Sequence, residues 1–92
     1  MARITVTGRT GDQVAVRVTD GGRDFDYTVE VPAATAERFG AGPERVAGAT
    51  LAFLLDREPP TSIMARFGPD TVTGYFPEYP DELPGYLARA DQ

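Results

Sequence analysis

Carboxylates are the only plentiful side chains in this sequence that could do chemistry: 14 Asp and Glu stand beside nine positive charges, all Arg, with no His, Cys or Lys. The absence of His removes the side chain that titrates near neutral pH and the commonest metal ligand. The absence of Cys and Lys removes the thiol nucleophile and the Schiff-base amine. What remains is acid-only chemistry, either a hard-cation site or a carboxylate general acid. Asp24, Asp26 and Glu30 alternate along one stretch, with Asp20 just before them. Their spacing is that of a wet strand face and fits no loop that wraps an ion. Asp56, Glu58 and Glu78 share no diagnostic spacing, and no glycine-rich turn leads from a strand into a helix to cradle phosphate. These residues imply a non-enzymatic protein that needs no metal and no cofactor.

A second constellation is "SIMARFGPDTVTGYF", residues 62–76, which reads as two short helices around a Gly-Pro turn. That is the outline of a helix-turn-helix, so an antitoxin-like DNA-binding regulator is the rival functional class. Its reading helix would be short, roughly 10 Å at 1.5 Å per residue before Pro77 stops it. It opens with Asp70, which would face phosphate, and Arg66 is the nearest cation. The net charge of −5 also opposes a polyanion, with four Arg against eight acids in residues 41–92. The sequence thus argues against nucleic acid and favours a protein partner or self-association.

That partner surface is expected in the ring-rich stretch. Between Pro59 and Pro84 lie six of the eight prolines and four of the nine aromatic rings. Amphipathic rings are enriched where proteins grip one another, and proline stiffness lowers the ordering entropy lost on binding. The contact surface is expected at Arg57, Glu58, Tyr75, Glu78 and Tyr79, with Arg57 and Glu78 paired across the Pro59-Pro60 corner. Most of the other rings should be core.

The elements that must position these residues follow from periodicity. Ile4 and Val6, then Val14, Val16 and Val18, then Phe25, Tyr27, Val29 and Val31 alternate with polar residues, as three half-buried strands do. "GRTGD" and "DGGR" supply the hairpin turns. A short helix is expected over 32–40 with Gly40 as its stop, and a long apolar helix from Pro43 to Glu58. A two-turn helix over "SIMARF", another over "DTVTGYF" and a final turn or two frayed at the end complete the cover. Pro84 belongs in a first turn. The expected fold is α+β, a three-stranded antiparallel β-meander covered by one long central helix and two or three short C-terminal helices. It forms a single domain over 1–92, with the meander in 1–31 and the helical cover in 32–92.

No apolar run nears the ~20 residues that span a bilayer, and "MARITVTG" leads directly into a strand pattern. A cytoplasmic location is therefore expected, with no membrane partner. The Arg, Ala, Gly and Pro usage points to a GC-rich bacterial source.

Residues Phe53 to Tyr79, "FLLDREPPTSIMARFGPDTVTGYFPEY", resemble the C-terminal signature of a small uncharacterised bacterial protein family, approximately "FLLEREPxxSILxxFDLxxIxxYFPEY". Gly68-Pro69 departs from it, standing where the family has Asp-Leu. The family's β-rich front is compatible with residues 1–31, and the resemblance points to no particular activity. The outline of a small meander with a covering helix is also similar to HicB-like antitoxins, without any shared motif.

Overall fold

Strand alternation and turn chemistry build the first third of the chain. The computed structural model describes residues 2–90, in which β1 (Arg3–Thr10), β2 (Gln13–Asp20) and β3 (Arg23–Glu30) form an antiparallel meander. Gly21 and Gly22 both adopt positive φ, 62° and 80°, as a tight two-residue hairpin requires. The register sets Val14 opposite Val29, Val16 opposite Tyr27 and Val18 opposite Phe25. This places the apolar row on one face, and its members in β2 are fully buried.

β1 is irregular between Val6 and Gly8, where the register slips by one residue at Thr7. A bulge of this kind turns the following side chains to the other face. Ile4 and Val6 pair with the inward Val18 and Val16, and after the slip Arg9 pairs with the inward Val14. Arg9 consequently reaches the helical layer and bonds Glu44 at 3.4 Å.

The helical layer starts with α1 (Ala33–Phe39), which Gly40 ends at φ 71°. α2 (Pro43–Leu55) follows, with Pro43 in its first turn, where the missing N–H costs nothing. Val46, Ala47, Ala49, Thr50, Leu51, Phe53 and Leu54 are buried, so α2 is covered on the sheet side and on its far side. It ends three residues before the expected Glu58. The N–H groups of Arg57 and Glu58 both reach back to the Leu54 carbonyl, closing the helix in a tight turn ahead of Pro59.

The segment after Pro59 departs furthest from expectation. Pro60–Ser62 is a single 3₁₀ turn, and Arg66–Phe67 is a fourth strand, β4, rather than part of a helix over "SIMARF". β4 runs parallel to β3, with Thr28 opposite Arg66 and Val29 opposite Phe67, and the sheet order is β1-β2-β3-β4. The meander is therefore three strands of a mixed four-stranded sheet. The physical reason is the open edge of β3, whose Thr28 N–H donates to the Ala65 carbonyl at 2.8 Å. Ile63 and Phe67 lie four apart, a spacing that buries both in a helix and equally in an extended chain. Gly68 then passes so close to β3 that a Cβ would stand 2.9 Å from the Glu30 carbonyl oxygen.

α3 (Pro69–Tyr75) and α4 (Tyr79–Ala90) complete the layer. α4 is 12 residues long, well beyond a turn or two, and Pro84 sits inside it. Pro84 offers no N–H to the Pro80 carbonyl, and both residues lie on the exposed flank, where water replaces the lost bond. On the opposite flank Tyr79, Leu83 and Leu87, one turn apart, are buried against α2. The expected fraying of residues 91–92 lies outside the described residues. Among the described residues no helix is long and apolar enough to cross a membrane.

Candidate functional site

Phe53 is the hub around which the polar residues of the C-terminal half are arranged. Its ring meets Tyr79, Tyr86 and Phe76 edge-on at centroid distances of 5.2, 5.7 and 5.9 Å. The Arg57 guanidinium lies 3.6 Å over the same ring. Arg57 donates to Glu78 at 3.3 Å, Glu82 at 2.9 Å, the Phe53 carbonyl at 3.1 Å and the Tyr86 hydroxyl at 3.4 Å. Tyr86 in turn donates to Asp56 at 2.5 Å. Burial works against the Arg57 charge, but the bonds to Tyr86, Glu78 and Glu82 outweigh it and hold the guanidinium above its ordinary pKa. The expected Arg57–Glu78 pair is present. Its partners show that it clamps the end of α2 to α4, so Arg57 is committed inside the molecule.

Tyr79 is turned into the core. It is fully buried, and its hydroxyl lies 2.8 Å from that of Thr50, which bonds the Val46 carbonyl at 2.7 Å. Burial pushes the phenol up to about 12. The reason is that α4 begins at residue 79, earlier than the sequence suggested, which turns this ring onto α2. Of the five residues expected at the contact surface, Arg57 and Glu78 serve the clamp and Tyr79 serves the core.

Tyr75 and Glu58 come together elsewhere. A groove of about 310 Å³ opens between the end of α2, the segment from the 3₁₀ turn to β4 and α3. Leu54, Ile63, Phe67, Val72 and Phe76 form its apolar lining, and Glu58, Ser62 and Thr71 supply its polar atoms. At its margin Tyr75 is 70% exposed and Met64 44% exposed, two of the three large apolar side chains left in solvent among the described residues. In place of the expected helix over "SIMARF", the chain here turns Met64 outward while Ile63 and Phe67 turn in. The 3₁₀ turn beside the groove is fixed by Tyr27, whose hydroxyl donates to the Pro60 carbonyl at 2.5 Å. Burial, with help from Glu58, raises the Tyr27 phenol above its ordinary pKa.

The remaining constellations dissolve into local pairs. Asp26 bonds Arg17 at 2.9 Å across β2 and β3, and that hydrogen bond holds its carboxyl below the usual range. Asp24 accepts from Thr19 at 2.7 Å. No three carboxylates converge to hold a metal among the described residues. Residues 62–76 contain one helix, α3, instead of the two that a helix-turn-helix needs. A second hollow of about 470 Å³ beside Ile4, Val6, Ala52 and Tyr86 is more open, and its charges are satisfied within the chain. Glu44 holds Arg9, Arg89 stacks on Tyr86, and Arg45 reaches the Leu87 carbonyl. No protein-family model, curated protein or solved structure matches this chain.

Proposed function

We propose that this protein is a non-enzymatic interaction or regulatory module that docks an apolar side chain of a protein partner into the groove beside Tyr75. The observation that carries this reading is the Tyr75 ring, 70% exposed at the rim of an apolar groove that Met64 flanks. Clustered apolar surface with a polar rim is how partner sites are built, and a rigid ring loses little conformational entropy on contact. The lack of His, Cys and Lys supports a role without catalysis. We also read the chain as a relative of the bacterial family with the "FLL…YFPEY" signature. Support comes from the way signature residues Phe53, Leu54, Arg57, Phe67, Glu78 and Tyr79 form one packed and bonded unit.

Co-purification from the native cell with tagged wild type and with a Met64→Ser/Tyr75→Ser double variant tests the contact surface. The double variant should lose its specific partner about tenfold or more while an Asp24→Ser control on the outer sheet face keeps it. Equal recovery from all three would remove the groove from the account.

A further inference from the structure

The groove is asymmetric in charge, and that asymmetry bears on what fills it. Its one charged lining residue is Glu58, half-buried and without an ion pair among the described residues. No lining residue is cationic, and the other polar groups on the rim are the hydroxyls of Ser62, Thr71 and Tyr75. A carboxylate already partly withdrawn from water has lost some of its solvation, so a cation brought beside it gains more than at an open surface. Tyr75 adds an exposed aromatic face, which attracts a planar guanidinium in particular.

The same chain shows the arrangement completed internally. Arg57 sits over the Phe53 ring while it bonds Glu78 and Glu82. Glu58 and Tyr75 line one groove and offer the same two group types, a carboxylate and a ring, without a cation among the groove's lining residues. The volume of about 310 Å³ stands at the small end of ligand-sized pockets, roughly 300–1,000 Å³. It has room for an anchor side chain and not for the face of a helix.

Resting on the docking role proposed above, we propose that the partner segment carries a large apolar residue next to an arginine, the apolar side chain entering the groove and the guanidinium lying between Glu58 and Tyr75. A random dodecapeptide library displayed on phage and panned against the full chain provides the test. Enriched clones should place Arg within two positions of Leu, Met, Phe or Trp. Synthetic peptide from the best clone should bind about three- to tenfold more weakly to the Glu58→Gln variant, and more weakly still to Tyr75→Ser. Both variants should melt like wild type, since Tyr75 is exposed and Glu58 makes no ion pair among the described residues.

Clones that lose binding to Tyr75→Ser yet lack Arg, and that bind Glu58→Gln at wild-type strength, would overturn the arginine while leaving the docking role standing. Clones indifferent to Tyr75→Ser, or a chain that sediments as a dimer through this face, would overturn both.

Discussion

Tyr79 and Arg57 are polar residues used for internal order, and each makes a measurable prediction. The Tyr79 phenol is neutral in the fold, with its pKa pushed from the ordinary 10 up to about 12. Between those values the unfolded chain gives up the proton first and binds fewer protons than the folded one, so stability falls as pH rises. The contribution is complete below about pH 10 and is lost as pH climbs toward 12, by at most roughly 2–3 kcal/mol. Urea midpoints measured from pH 7 to pH 11.5 should show this decline, and Tyr79→Phe should lessen it, leaving the share that the raised Tyr27 phenol contributes. At neutral pH that variant should cost about 1 kcal/mol, the worth of the bond to Thr50. Arg57→Met keeps the stem on Phe53 but leaves Glu78 and Glu82 without their shared cation. Urea unfolding should show a loss of about 1.5–3 kcal/mol. Tyr75→Ser, changing an exposed ring, should stay within about 0.5 kcal/mol of wild type.

Among the elements, what could be read in advance depended on whether the cause was local. The three long strands announce themselves because alternation and glycine turns are properties of adjacent residues, and the stops at Gly40 and before Pro59 are equally local. β4 is different, since Ile63 and Phe67 satisfy both the helical and the extended period. The choice between them is made by the unpaired edge of β3, nearly forty residues upstream. α4 was obscured by Pro84, which reads as a helix start although it sits mid-helix on a solvated flank. Tyr79 was misplaced for the same reason, as its neighbours Pro77 and Pro80 look like loop. The Arg57–Glu78 pair was legible because Pro59-Pro60 forces a corner that brings its flanks together. The groove was not, being the space left where three elements fail to close. The junction of β4 with β3 also carries a prediction. Gly68→Ala would press a methyl group against the Glu30 carbonyl and should cost about 1–3 kcal/mol. Hydrogen exchange should show the Thr28 amide, bonded to Ala65, losing protection first.

For the whole molecule, charge and closure set the terms of any encounter. A net charge of −5 gives a polyanion little to hold. Mixed-sequence duplex DNA titrated at 50 mM salt should show no binding that weakens as salt is raised. The rings after Arg57 seal the interior around Phe53, Phe76 among them, while Tyr75 stays exposed at the margin of the groove, where the proposed partner would add to the fold. Photo-crosslinking in the native cell reads this most directly, with benzoylphenylalanine placed in turn at positions 75, 64 and 26. A discrete protein adduct from 75 and 64, absent from 26 on the outer sheet face, is the expected result. Adducts from 26 alone, or none from 75, would contradict the docking role of the groove.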